Sequence, residues 1–291
     1  MGKNIEIDPG NLICSYAEGN EFKLENAHSS IPLRDPDEEL RFAEMPILEE
    51  ICKYCGTRLK QVNIGGKSKG FITVLHKSLD LNYCNICGWW YLVRSEVEKH
   101  ITGRHFIINI VEGNAKYYDV EAYNVPIVEL RNFLKSHPNN LALVNPYRFE
   151  LLMKDCFEDF FGPCEVVHVG GSGDGGIDLK ILLNKKETIL VQVKRRIDIT
   201  KNEGPQVVRE LNGVLFRENI PKGIVVTTNK GFTDNAYLET QVKTPTKKKY
   251  QMNLMAFDDI VGMLNLPRLK PYEPWKKYLE ILNLKHDKIV Y

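Results

Sequence analysis

No apolar run in this chain reaches the ~18 residues expected of a membrane-crossing helix. Its first residues, Met-Gly-Lys-Asn-Ile-Glu, lack the apolar core of a secretory signal. Both absences lead to the expectation of a cytoplasmic protein with no membrane partner. A disulfide framework is missing too. There are seven cysteines in 291 residues, and four of them fall in two Cys-x-x-Cys pairs, a spacing that suits a metal in a reducing compartment. Cys14, Cys156 and Cys164 stand apart and read as free thiols, the last two at or near packing surfaces. Net charge is almost absent at +1, but it is unevenly spread. Residues 1–50 carry 4 Lys/Arg against 12 Asp/Glu, and the remainder carries 35 against 26. An acidic leader before a basic body is compatible with a polyanion partner, although solvated faces of both signs give the same balance.

What is present is enough apolar residue, 43%, for packed cores, and enough length for two domains. Residues 1–50 hold Pro32, Pro36 and Pro46 and little apolar periodicity, so an irregular leader is expected, with one short helix near Asp37–Ala43. A module over 51–138 follows. Cys52-Lys-Tyr-Cys55-Gly opens it and Cys84-Asn-Ile-Cys87-Gly-Trp-Trp closes its metal frame. Each short pair supplies two thiolates from one turn, and four such ligands make a tetrahedral structural zinc site. The arrangement resembles a zinc ribbon. A second ligand set competes: Cys84 and Cys87 with His100 and His105, at two-Cys, two-His spacing.

Trp89, Trp90 and Tyr91 are either stacking surfaces for bases or the packing of a small ribbon. Gly66-Lys67-Ser68 lacks the upstream glycine of a phosphate loop, because position 61 is Gln. Phe106–Val111 and Lys116–Val120, either side of Glu112-Gly113-Asn114, predict a hairpin. Val125–Leu134 reads as a helix. Ser136-His-Pro-Asn-Asn140 reads as a domain boundary.

From 139 to 265 the pattern is α/β. Asn145-Pro146 starts a helix with Asn as its cap. Strands are expected at Glu165–Val169, Asp178–Leu183, Glu187–Arg195, Gly223–Thr228 and Met252–Phe257. Helices are expected at Pro205–Arg217, Thr233–Leu238 and Asp258–Leu264. This order predicts a mixed β-sheet flanked by helices. A tail over 266–291 holds a helix near Trp275–Leu282, read as a packing or oligomer contact.

One stretch carries chemistry. The glycine-rich turn His168-Val-Gly-Gly-Ser-Gly-Asp-Gly-Gly-Ile-Asp178 delivers an aspartate to the start of a strand. On the next strand, Gln192 and Lys194 lie two residues apart and therefore on one face, while Ile189, Val191 and Val193 take the other. A carboxylate and a lysine on adjacent strands can hold a divalent metal and a water against a phosphodiester. Lys247-Lys-Lys249 reads as a solvated loop, and His168 as structural.

These residues resemble the Mrr-type restriction endonucleases within the PD-(D/E)xK nuclease superfamily. The resemblance rests on Phe149-Glu150, Gly173-Asp-Gly-Gly-Ile-Asp178, Val191-Gln-Val-Lys194, Val208-Arg-Glu-Leu211 with Gly213, and Gly223-Ile-Val-Val-Thr-Thr228 before Gly231-Phe-Thr. It implies a restriction-endonuclease-like fold and Mg2+-dependent (or Mn2+-dependent) cleavage of DNA. Asp178 takes the place of the metal-binding aspartate and Lys194 that of the lysine beside the attacking water. Gln192 stands where the wider superfamily has Glu or Asp. Glu150 would then restore a second carboxylate, with Asp174 as a further ligand or a turn former. DNA is the implied partner, a homodimer or higher oligomer the simple expectation for double-strand cutting, and a protein activator a further possibility. Rival readings of the same residues are a non-cleaving zinc-ribbon DNA-binding protein and a structure-selective or gated nuclease in repair or RNA processing.

Overall fold

The computed structural model describes residues 9–29, 50–65, 74–100, 103–171, 176–183, 187–241 and 251–279. Two compact units divide the chain. One comprises residues 15–116 and 273–291, and the other residues 1–14 and 117–272. This division falls elsewhere than the expected limits at 50, 138 and 265: residues 117–138 pack with the nuclease-like region. The expected helix at Asp37–Ala43, Asp174 and Lys247–Lys249 lie outside the described residues.

The first unit is built on a five-stranded sheet of β1 (Leu12–Ser29), β2 (Lys60–Gly65), β3 (Val74–Tyr83), β4 (Trp90–His100) and β5 (Gly103–Asp119), in the order β1-β5-β4-β3-β2. The β2–β3, β3–β4 and β4–β5 pairs are antiparallel. Two sequence expectations fail here. The leader is not irregular throughout, because it contains β1. That strand lies at a sheet edge with one neighbour, so its apolar alternation is weak, and Ile13 and Tyr16 are its buried apolar anchors. The hairpin expected around Glu112-Gly113-Asn114 is absent, because β5 runs unbroken through it.

Gly113 serves packing, not a turn. A Cβ there would stand 2.9 Å from Trp90 Nε1. Trp89, Trp90 and Tyr91 are all buried. Trp89 Nε1 donates to Gly113 O (2.9 Å) and Trp90 Nε1 donates to Tyr16 O (2.8 Å). The packing reading therefore holds for all three, and none offers a free face for bases. The tail contributes here as well: Trp275 stacks on Tyr83, and Tyr278 lies against Trp90. The described part of its expected helix is Lys276–Leu279, and residues beyond 279 lie outside the described set.

The second unit is the expected mixed sheet. Helices α1 (Ile127–Ser136) and α2 (Pro146–Phe161) precede β6 (Cys164–His168), β7 (Leu179–Leu183) and β8 (Glu187–Lys194). A short strand β9 (Asn202–Glu203) leads to α3 (Pro205–Glu218) and β10 (Lys222–Thr227). The chain closes with β11 (Gly231–Phe232), α4 (Asp234–Glu239), β12 (Gln251–Met255) and α5 (Phe257–Leu264). The main sheet runs β12-β10-β8-β7-β6. Its β6–β7 and β7–β8 pairs are antiparallel, and β8–β10 and β10–β12 are parallel.

Alternation along β8 divides the core as anticipated. Ile189, Val191 and Val193 enter a cluster with Phe149, Leu152, Met153 and Ile260. Leu190 enters another with Val208, Leu211 and Leu215 of α3. Asn145 caps α2 by accepting from Tyr147 N (3.1 Å) and Arg148 N (3.4 Å). Among the described residues no helix is long and apolar enough to cross a membrane.

Candidate active site

Asp178 sits where the glycine turn meets β7. Its amide N–H donates to Val191 O (3.0 Å), and its Oδ2 accepts from Val193 N (2.6 Å). Its carbonyl accepts from Val169 N (2.9 Å) and Gly170 N (3.2 Å). The aspartate is thus bound to the backbone on either side of Gln192. Such fixing holds a carboxylate in one orientation before any ligand arrives.

Gln192 is almost fully buried, at 1% exposure. Its Nε2 donates to Glu210 Oε2 (3.2 Å), while its Oε1 is buried without a hydrogen-bond donor. A buried amide oxygen lacking a donor is costly unless something positive faces it. Lys194, two residues on, is half-buried with Nζ 3.9 Å from the same Glu210 oxygen. Gln192 and Lys194 thus both reach Glu210, beside the backbone that fixes Asp178.

Glu150, on α2, faces His168 at the end of β6. His168 Nε2 lies 2.6 Å from Glu150 Oε2. His168 is paired in register with Leu179, the residue after Asp178. A Cβ on Gly170 would stand 2.7 Å from Glu150 Oε2, so a larger residue there would displace the Glu150 carboxylate. Glu150 is thereby brought to the loop that binds the Asp178 backbone, but its direct partner is His168. Tyr147 packs edge-on against His168.

The basic residues after Lys194 are already engaged. Arg195 donates to Ala142 O (3.1 Å). Arg196 binds the Glu203 carboxylate through Nε (2.8 Å) and Nη2 (2.9 Å), and the Glu203 pairing pushes its pKa up further. Thr227 Oγ1 donates to the same carboxylate (3.1 Å).

Glu210 was not singled out from the sequence. It lies on the polar side of α3, sixteen positions from Lys194, and only the fold brings the two together. The available signals are its place in the Val208-Arg-Glu-Leu211 stretch and its i, i+4 spacing from Gln206 on that helix.

The other unit holds the second candidate site. The sulfur atoms of Cys52, Cys55, Cys84 and Cys87 lie within 4.8 Å of one another. Cys52–Cys87 and Cys55–Cys84 sulfur pairs are 3.4 Å apart. That is far longer than a disulfide bond of ~2.05 Å and close to the ~3.8 Å between ligands of a tetrahedral site with zinc–sulfur bonds of ~2.3 Å.

Matching turns build the two knuckles. Cys52 N donates to Thr57 O (2.8 Å) and Gly56 N to Cys52 O (2.9 Å). Likewise Cys84 N donates to Trp89 O (2.7 Å) and Gly88 N to Cys84 O (3.1 Å). Gly56 (φ 70°) and Gly88 (φ 81°) occupy the left-handed region that these turns demand. Hydrogen bonding to Thr57 brings the Cys55 thiol down to about 6, and burial pushes the Cys87 thiol up to about 12.

The four-cysteine set is the one that converges. His100 ends β4, ten residues beyond Trp90, or roughly 33 Å at strand rise. His105 is paired with Glu98 near the same end. Neither backbone position is within reach of the knuckles.

A mixed sheet with an aspartate, a glutamine and a lysine on adjacent strands fits a nuclease domain of the restriction-endonuclease class. Residues 141–264 match the restriction endonuclease family Mrr_cat. Over 102 residues the chain is 35% identical to the Type IV methyl-directed restriction enzyme EcoKMrr of Escherichia coli strain K12. That alignment covers 33% of this chain and 32% of EcoKMrr, so the chain spans about a third of the curated relative's length.

Proposed function

We propose that this protein is a divalent-metal-dependent DNA endonuclease, acting in the cytoplasm against foreign or modified DNA. The observation that carries the reading is the buried Gln192 Oε1. It has no donor, and Gln192 itself lies between Val191 and Val193, the two residues whose backbone fixes Asp178. An oxygen set of Asp178 and the Gln192 amide, with Glu150 close to the same loop, suits Mg2+ or Mn2+, which take hard oxygen ligands and keep several waters. When bound, such a cation would polarise a phosphoryl oxygen and make a water more acidic.

The chain's own residues supply the rest. Asp178 is held rigid by Val191 and Val193. Lys194 places a cation where negative charge builds up on the phosphate. His168 orients Glu150. DNA as substrate is supported by the family of residues 141–264 and by the methyl-directed character in the name of EcoKMrr.

The four-cysteine knuckles fit one structural Zn2+, with every ligand position filled by protein. We assign that unit to recognition of a DNA feature or of a partner protein. Double-strand cutting would require two such sites, hence a homodimer or higher oligomer.

The test is cleavage of methylated and unmethylated plasmid with Mg2+, Mn2+ or EDTA, comparing wild type with Lys194→Ala. Metal-dependent cutting that falls by about 100-fold or more in the variant supports the proposal. No cutting of either plasmid, with metal-dependent cutting of a junction or an RNA, would move the substrate away from duplex DNA. No cutting of any substrate would replace the enzyme with a binding protein.

A further inference from the structure

Helix α3 turns one carboxylate toward the face that carries Gln192 and Lys194. Glu210 Oε2 accepts from Gln192 Nε2 (3.2 Å) and lies 3.9 Å from Lys194 Nζ. Its other oxygen, Oε1, accepts from Gln206 Nε2 (3.0 Å), one helical turn earlier. A carboxylate can only accept, so an amide facing it must present its NH2. Glu210 therefore decides which end of the Gln192 amide points away, and the end that does is the buried Oε1 with no donor. An exposed Glu–Lys pair at 3.9 Å would carry little by itself. What distinguishes this carboxylate is its bond to a side chain that is 1% exposed.

We propose that Glu210 is a positioning residue of the nuclease site. It holds the Gln192 carbonyl toward a divalent cation shared with Asp178, and its charge keeps Lys194 alongside. An amide at position 192 is thereby made to serve as an oxygen ligand, with the compensating negative charge one layer out on α3. The inference rests on the nuclease reading above.

The experiment uses the full chain and two readouts. Without metal, in protein labelled with 15N-glutamine, the Gln192 side-chain signals are identified by their loss in Gln192→Leu. They are expected to exchange slowly with water and to shift in Glu210→Ala. With Mn2+ followed by electron paramagnetic resonance, Glu210→Ala is expected to weaken binding about tenfold, as losing the partner of a metal ligand does. Glu210→Gln, which keeps an acceptor, recovers part of that loss. In a Gln192→Leu background, Glu210→Ala has no further effect, because it acts through Gln192. Thermal melts confirm that the variants fold.

Unmoved Gln192 signals in Glu210→Ala would overturn the proposal whatever the metal does. So would an equal loss of Mn2+ affinity in both backgrounds, which would make Glu210 a direct ligand or a general charge. A wild type whose Mn2+ binding is indifferent to Asp178→Ala would instead sink the metal-site reading, and the metal-free amide signals would still judge Glu210.

Discussion

The indole of Trp90 lies directly on the backbone of Gly113: a Cβ on that glycine would stand 2.9 Å from Nε1, 3.1 Å from Cε2 and 3.2 Å from Cδ1. The ring cannot retreat. It is fully buried, its Nε1 is bonded to Tyr16 O, and a Cβ on Gly19 would stand 3.2 Å from its Cη2. Gly113→Ala should therefore destabilise this unit by about 1–3 kcal/mol, the usual cost of overpacking. All three tryptophans, Trp89, Trp90 and Trp275, belong to the unit of residues 15–116 and 273–291. Tryptophan fluorescence in a urea titration thus reports this unit, and a midpoint equal to that of wild type would contradict the packing account.

The same pair shows what the sequence could and could not reveal. Glu-Gly-Asn is a good turn signal, and only the covering indole, more than twenty positions earlier, explains the glycine inside a strand. Local information served well wherever neighbours along the chain decide the outcome. The Asn145 cap, the alternation of β8 and the shared face of Gln192 and Lys194 all follow from spacing. It failed where a remote element supplies the partner. Glu210 depends on α3 crossing the β8 face, and Glu150 meets His168 from a helix eighteen positions away. The strand β1 carries no clear alternation, because an edge strand can be polar along much of its length.

Arg131 illustrates the remote case at the level of stability. Although charged, its side chain on α1 is fully buried. It pairs with Asp155 (2.9 Å) and Asp159. It also donates to the carbonyls of Met263 (3.0 Å), Leu264 (3.2 Å) and Leu266 (3.1 Å), at the end of α5. Arg131→Met should cost about 3–5 kcal/mol, since it strands two carboxylates and several carbonyls. Lysine should not rescue it, because one ammonium cannot reach this spread of acceptors. Circular dichroism in urea would measure the loss, and a cost below ~1 kcal/mol would show that water replaces the guanidinium.

Two carboxyls of this unit tie stability to pH in opposite senses. Burial raises the Asp155 pKa, but hydrogen bonds from Arg268 and Arg131 outweigh it and hold the carboxyl below its usual range. Its contribution is present above the unfolded pKa and lost as pH falls through the folded one. Glu129 is pushed up to about 7 by burial, against a lowering hydrogen bond from Tyr272. The folded form holds a proton there that the unfolded chain has released. Its contribution is complete below the unfolded pKa, near 4.5, and is lost as pH rises toward 7. Glu129→Gln should leave stability unchanged near pH 4 and raise it by about 1–3 kcal/mol at pH 8. Urea midpoints at the two pH values would check it, and an equal change at both would rule out the titration.

The four-cysteine cluster makes the last prediction. Four sulfur atoms within 4.8 Å have no covalent reason to converge, and a thiolate-bound cation would account for their meeting. The knuckle also bears on the aromatic core, since Tyr54 lies between Cys52 and Cys55 and packs against both Tyr16 and Trp89. Zinc released by a strong chelator should therefore loosen that packing and alter tryptophan fluorescence. The purified chain should yield one zinc per protomer by metal analysis. Cys52→Ser and Cys87→Ser should each lower that content and the unfolding midpoint, while His100→Ala and His105→Ala should leave both unchanged. A histidine variant that lost zinc would restore the two-Cys, two-His set. Full zinc retention in both cysteine variants would remove the knuckles from metal binding altogether.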